Sequence, residues 1–185
     1  MRLFVAVNPP EQFRQHLDTR LVTIRRRVRI AWTAPASWHL TLMFLGDWPP
    51  ERLPGLADGL AAAVRPRPPF ALQPTRVGAF PGLARPRVLF LQLDGGEALA
   101  TLARDVRAAV DGVWPDGPQD RKDFHSHLTL ARVKRPLAGP EPGLLRALDL
   151  GTWAPFRVEA VALMESTLGR DGPRYTCRAA LPLGA

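Results

Sequence analysis

The sequence predicts an α+β fold in which two pseudo-symmetric halves of antiparallel sheet carry helices on the outside and face a shared cleft. Two observations carry that expectation. Apolar runs of strand and helix period follow one another as strand, helix, strand, helix, strand, strand, helix, strand, short helix, strand, strand, a mixed order that suits helices laid against antiparallel sheets. The tetrapeptide His-Leu-Thr-Leu also occurs twice, at His39 to Leu42 and at His127 to Leu130, 88 residues apart in a chain of 185. That spacing is close to half the chain and implies two related lobes.

Arg2 to Val7 is an apolar run of strand length that Asn8-Pro9-Pro10 ends. A helix is expected next, capped by Asn8 and carrying Phe13, Leu17, Leu21, Ile24 and Val28 on one face. The cluster Arg25, Arg26, Arg27 and Arg29 falls at its C-terminal end, where cations suit the helix dipole. Trp32 to Trp38 reads as a turn-rich approach to a strand from His39 to Leu45, which Gly46 terminates. Pro49-Pro50 opens a second helix with Leu53, Leu56, Leu60 and Val64 on its buried side. Phe70 to Val77 should be a strand, with Pro74 placing it at a sheet edge. Gly78 to Pro86 is a loop, and Arg87 to Leu93 is apolar enough for a sheet centre. Leu99, Leu102, Val106, Val110 and Val113 define a third helix. The polar stretch from Trp114 to Lys122 then delivers the second His-Leu-Thr-Leu strand, Phe124 to Val133. A short helix at Leu144 to Leu148, a strand at Phe156 to Met164, a turn at Gly169-Arg170-Asp171-Gly172 and a strand at Tyr175 to Ala180 close the chain.

Composition is that of a globular domain, 46% hydrophobic and 23% charged. The single Cys177 excludes an intramolecular disulfide and a cysteine-based zinc site. No stretch reads as a signal peptide or a membrane span, so a cytoplasmic protein is expected. Net charge is +8, almost all of it arginine, since Lys122 and Lys134 are the only lysines. Arginine offers a rigid fork of donors matched to phosphate, which favours RNA or a nucleotide as partner. Base composition of the genome explains the same arginine excess equally well.

On a strand the side chains alternate faces, so each tetrapeptide turns its two leucines to one side and its histidine and threonine to the other. One such strand is ordinarily a solvent-facing polar pair. Two copies in a chain with four histidines instead suggest a matched acid and base, His39 and His127. Histidine suits both roles because its ordinary pKa of about 6.5 keeps both forms accessible. Thr41 and Thr129 share a face with them and can donate to phosphate oxygens. Arg132 and Phe44 each lie five residues after a motif histidine and have the opposite parity. Arg132 therefore reaches the same side only if its strand bends, bulges or ends, and Phe44 reads as a core residue. His125 forms an H-x-H pattern with His127, yet no acidic ligand follows at a suitable spacing, so it reads as cleft-lining or exposed. His16 falls off the apolar stripe of its helix and reads as solvated.

These residues resemble the 2H phosphoesterase superfamily, defined by two H-x-T/S motifs, and within it the RNA 2′,3′-cyclic phosphodiesterases formerly called 2′-5′ RNA ligases. Arg2-Leu3-Phe4 with Pro9-Pro10, Trp32, the run from His39 to Gly46, Phe80-Pro81, Phe124, the run from His127 to Arg132, Ser166, and Gly172 with Tyr175 carry the resemblance. The chain departs from the pattern at Ser126, where the family has proline, and at Val5, where it often has an aromatic residue. The resemblance implies one bilobal domain over residues 1–185 and a metal-free, cofactor-free site in a monomer. It implies hydrolysis of RNA 2′,3′-cyclic phosphate ends to 2′-phosphomonoesters, with Arg132 serving the substrate. Reversible 2′-5′ ligation and an RNA-binding module without turnover are the alternatives.

Overall fold

The computed structural model describes residues 1–169 and 172–184, so two residues of the expected turn, Arg170 and Asp171, lie outside the described residues. The chain runs β1 (Arg2–Val7), α1 (Glu11–Arg27), β2 (Ala31–Trp32), β3 (Leu40–Asp47), α2 (Leu53–Val64), β4 (Phe70–Phe80) and β5 (Val88–Asp94). It continues through α3 (Gly96–Val113), β6 (His127–Arg132), α4 (Glu141–Arg146), β7 (Phe156–Val158), β8 (Ala160–Gly169) and β9 (Gly172–Pro182). This is the expected α+β architecture.

The strands follow the order β7-β4-β5-β6-β3-β1-β8-β9, all antiparallel, with β2 added to β6. That order divides into two four-stranded halves with β6 and β3 at their inner edges. A single residue pair, Leu40 with Leu128, joins them. One histidine motif therefore lies on each side of the junction. The two leucines are 1% and 0% exposed, and truncating either to alanine at such a site costs about 2–5 kcal/mol.

Helices cover one face of the sheet. Phe13, Leu17 and Leu21 of α1, Leu56, Leu60 and Val64 of α2, and Leu102, Val106 and Val110 of α3 pack into one core with the leucines of β3, β5 and β6. The opposite face holds a small cluster of Phe4, Ala6, Ala162 and Met164, with Tyr175 packed against it. Strand β1 contributes Leu3, Val5 and Val7 to the first and Phe4 and Ala6 to the second. Burial on both faces is why its sequence is apolar without alternation.

Several expectations need correction. Asn8 does not cap α1; the helix begins one residue after Pro10, whose carbonyl accepts from Arg14 N at 3.1 Å. The consecutive prolines fix φ at the two positions between Asn8 and the helix, so the extended chain places Asn8 too far back to cap it. Strand β4 extends to Phe80 and is not an outer strand, because β7 pairs with its Phe70 to Leu72. Pro74 lies beyond the reach of β7 and at a register irregularity against β5, so its missing N–H leaves no broken ladder. The expected strand at Phe156 to Met164 is two strands that break at Glu159 and pair in different halves. Only that residue separates them, so the sheet curls until its halves approach each other there.

Two local clamps hold the parts nearest the cleft. Gly46 has φ +74° inside β3, and a Cβ built there would stand 2.9 Å from Pro118 O, so the glycine lets the segment between α3 and β6 lie against the strand. Arg135 donates to Arg29 O at 3.0 and 2.8 Å and to the Glu141 carboxylate, which also accepts from Arg29 N and Ala138 N. These bonds hold the Glu141 carboxyl at about 2, below its ordinary 4.5.

Gly46→Ala is expected to destabilise the protein by about 1–3 kcal/mol, the cost of a strained backbone plus a steric conflict, read as a lower urea midpoint with an unchanged slope. The folded-state pKa of Glu141 is depressed, so its contribution is present above about 4.5 and is lost as pH falls through about 2. Glu141→Gln is therefore expected to flatten the acid limb of a stability-versus-pH curve in that window.

Candidate active site

Both motif strands carry an extra residue at the same place in the tetrapeptide. In the β1–β3 pair, Thr41 faces Ala6 and Met43 faces Val5, which leaves Leu42 unpaired in the register. In the β5–β6 pair, Thr129 faces Phe90 and Ala131 faces Leu89, which leaves Leu130 unpaired. Such a bulge turns two consecutive side chains to one face. Leu42 and Met43 are both buried, as are Leu130 and Ala131. The parity of the next residues, Phe44 and Arg132, is reversed, and on β3 a second shift at Leu45 reverses it once more beyond Phe44.

Phe44 and Arg132 therefore project to the same side as the motif histidines. Phe44 is 50% exposed and lines the cleft, contrary to its expected place in the core. Arg132 lines the cleft as well, and the bulge at Leu130 meets the condition the sequence set for it. The short strand β2 occupies the gap that opens where β6 leaves β3, with Thr33 N donating to Leu130 O at 2.8 Å.

His39, Thr41, His127, Thr129 and Arg132 all line one cleft with a volume of about 1470 Å³. On an antiparallel pair aligned at Leu40 and Leu128, His39 comes opposite Thr129 and Thr41 opposite His127. The two histidines thus flank the junction from neighbouring strands. Their lower rows are the core leucines. Neither threonine hydroxyl hydrogen-bonds another described residue, and no ion pair among the described residues engages Arg132.

Each imidazole is held by the main chain two residues before it. His39 Nδ1 lies 2.8 Å from Ser37 O, and His127 Nδ1 lies 2.7 Å from His125 O. A carbonyl only accepts, so Nδ1 carries the hydrogen in both rings and Nε2 is left for the cleft. Aromatic walls complete the fit. Phe4 and Tyr175 stand 4.8 and 5.1 Å from the His39 ring, and Phe80 and Phe90 stand 5.2 and 5.5 Å from His127.

Burial lowers the pKa of both histidines below the ordinary 6.5. The carbonyl bonds oppose that shift. For His39 the positive charge that His127 and Arg132 acquire or carry lowers it further, and for His127 the neighbours His125 and Arg132 do the same. The Tyr175 hydroxyl is raised by burial, while Arg132 opposes the rise. Arg132 thus reaches both histidines and the tyrosine. Among the described residues no group of three or more His, Cys, Asp or Glu side chains is placed to hold a metal ion.

His125 is exposed in the cleft and His16 is exposed on α1, as the sequence suggested. Sequence reasoning assigned no role to Phe4, Phe80, Phe90 and Tyr175. Three of these, Phe4, Phe80 and Tyr175, already stood among the residues carrying the family resemblance, but nothing local says which ring a distant strand will bring to which histidine.

A family model described as the 2′-5′ RNA ligase superfamily matches residues 8–170. The RNA 2′,3′-cyclic phosphodiesterase of Thermus thermophilus is 38% identical over 181 residues, covering 95% of this chain and 87% of the relative. The protein of the same name from Archaeoglobus fulgidus is 31% identical over 176 residues, covering 95% and 96%. Among solved structures, TT0787 of Thermus thermophilus superposes with a TM-score of 0.82 at 31% identity, covering 99% of this chain and 98% of that one. E. coli LigT complexed with 3′-AMP superposes with a TM-score of 0.72 at 27% identity, covering 98% and 97%.

Nitrogen-detected NMR of the two cleft imidazoles is expected to find the Nδ1–H form in both neutral rings and titration midpoints below 6.5. An Nε2–H form, or midpoints above that value, contradicts the geometry.

Proposed function

The chain belongs to the 2′-5′ RNA ligase superfamily, and from that premise we propose that it hydrolyses RNA 2′,3′-cyclic phosphate ends to 2′-phosphomonoesters by two-histidine acid–base catalysis. The observation that carries the reading is the pair of imidazoles whose Nδ1 atoms are tied to their own strands, so that both Nε2 atoms serve one cleft. The names of the relatives, RNA 2′,3′-cyclic phosphodiesterase, support the substrate. So does the 3′-AMP held by LigT.

In the proposed reaction one histidine, neutral, takes a proton from water through Nε2 as the water oxygen bonds to phosphorus. The bond from phosphorus to O3′ breaks, and the other histidine, protonated, gives its Nε2 proton to that oxygen. The product carries a 2′-phosphate and a 3′-hydroxyl. Thr41 and Thr129 donate to the non-bridging oxygens and Arg132 offsets their charge, contacts that strengthen as charge builds. The reading needs no metal ion and takes residues 1–185 as one functional unit, because each half supplies one histidine and one threonine. A ribose 5′-hydroxyl that attacks phosphorus in place of water opens the same ring, with O3′ again leaving, to a 2′-5′ phosphodiester, but water at about 55 M favours hydrolysis by mass action.

His39→Ala and His127→Ala are each expected to lower kcat by about 10²–10⁴ with a cyclic-phosphate oligonucleotide, the usual worth of a positioned acid or base. Activity should persist in EDTA. Because one histidine must be neutral and the other protonated, kcat/KM should be bell-shaped in pH, with its maximum below about 6.5 since both pKa values are lowered. Near-normal turnover in either variant, or loss of activity on chelation, refutes the proposed mechanism.

A further inference from the structure

The cleft is larger and more cationic than one terminal nucleotide requires. Its volume of about 1470 Å³ exceeds the roughly 300–1,000 Å³ of ordinary small-ligand sites. Six cationic side chains line it among the described residues: Arg2, Arg107, Arg121, Lys122, Arg132 and Lys134. Arg132 belongs to the catalytic cluster proposed above, which leaves five without an assigned task.

Four of those five gather at one end. The β1–β3 register sets Phe4 opposite Phe44 and Arg2 opposite Asp47, so Arg2 stands just past Phe44. Arg121 and Lys122 follow Asp120, whose N–H donates to Phe44 O at 2.8 Å. Arg107 reaches from α3 to Lys122 O at 2.8 Å and to Asp120 O at 3.5 Å, holding this segment against the cleft. Lys134 lies beyond Arg132, at the other end. Strands β3 and β6 run antiparallel from their junction, so the ends marked by Phe44 and Arg132 point in opposite directions.

Three acids share the crowded rim: Asp120 and Asp123 in the lining, and Asp47 opposite Arg2 on the next strand. Asp120 accepts from Lys122 N, and its carboxylate lies 3.6 Å from Lys122 Nζ. The Lys122 side chain is 87% exposed, and an ion pair so open to water is weak and readily exchanged for another anion. Four cations against three acids leave the rim positive.

We propose that this rim, Arg2 with Arg121 and Lys122, binds the phosphodiester on the 5′ side of the terminal nucleotide, so that the protein favours oligonucleotides over mononucleotides. The inference rests on the cyclic phosphodiesterase reading. A nucleoside whose 2′ and 3′ oxygens are both tied to the reacting phosphorus continues into the RNA strand only through O5′. The next phosphate therefore leaves the catalytic cluster, and Arg2, Arg121 and Lys122 beside Phe44, their segment held by Arg107, are the group that can neutralise it.

The test compares adenosine 2′,3′-cyclic monophosphate with diadenylate ending in the same cyclic phosphate. The wild type should show a higher kcat/KM for the dinucleotide, by about tenfold for one charge-assisted phosphate contact, through KM rather than kcat. The salt dependence of log kcat/KM should be steeper for the dinucleotide by about 0.7, the counterion-release slope for one neutralised phosphate on a single strand. The double variant R121Q/K122Q should lose most of that preference, its dinucleotide KM rising several-fold more than its mononucleotide KM. Arg2→Gln, on a different element, should act in the same direction and stands as the second probe if the double variant folds poorly. Equal efficiency on both substrates in the wild type, or equal losses on both in the variants, overturns the proposed subsite while leaving the reaction intact. Failure of the wild type to hydrolyse either substrate overturns the cyclic phosphodiesterase reading instead.

Discussion

The cleft depends on a bulge at the same place in each of its two central strands. Leu42 and Leu130 occupy the same position in their tetrapeptides, and each shifts the register against its outer neighbour, β1 or β5. Without these bulges Phe44 and Arg132 would point into the core with the leucines. With them, each histidine strand presents three side chains to one side: histidine, threonine, and a third that the bulge has turned round. Bulges also bend strands and end regular pairing. That agrees with β3 and β6 meeting at one residue pair and then diverging, so that the space between them is a cleft and not a closed sheet.

The same device applied twice produces an asymmetric site, because the third side chain differs. On β6 it is arginine, whose charge is felt by both histidines. On β3 it is phenylalanine, open to the cleft beside the cationic rim. The pseudo-twofold relation thus supplies equivalent imidazoles, while its breach sets a guanidinium after one histidine strand's threonine and an aromatic ring after the other's. A symmetrical site would bind a nucleotide in either of two opposed orientations.

The histidines illustrate how opposing terms settle a protonation state. Burial removes water from both rings and disfavours the imidazolium, and the nearby cations push the same way. The carbonyls of Ser37 and His125 push back by accepting from Nδ1. Burial is the larger effect, so the free site is biased towards neutral rings. In the reaction proposed above, an arriving phosphate anion would favour the charged form again and so couple binding to the uptake of a proton.

Much of this was legible in the chain itself. The repeated tetrapeptide named both histidines and both threonines, and the helical stripes of α1, α2 and α3 lie in the core where their periodicity placed them. Alternation could not foresee the bulges, since a bulge is a choice of register against a neighbouring strand and leaves no mark in local spacing; hence the misplacing of Phe44. The same reason hid the break at Glu159, where one apolar run serves two halves of the sheet. Sequence alone determined which side chains could do acid–base chemistry, because that is a property of residue type and local period. Which of them meet, which rings enclose them, and which arginines share the cleft were decided by pairing between distant strands, a contest of long-range contacts that no short stretch of sequence records.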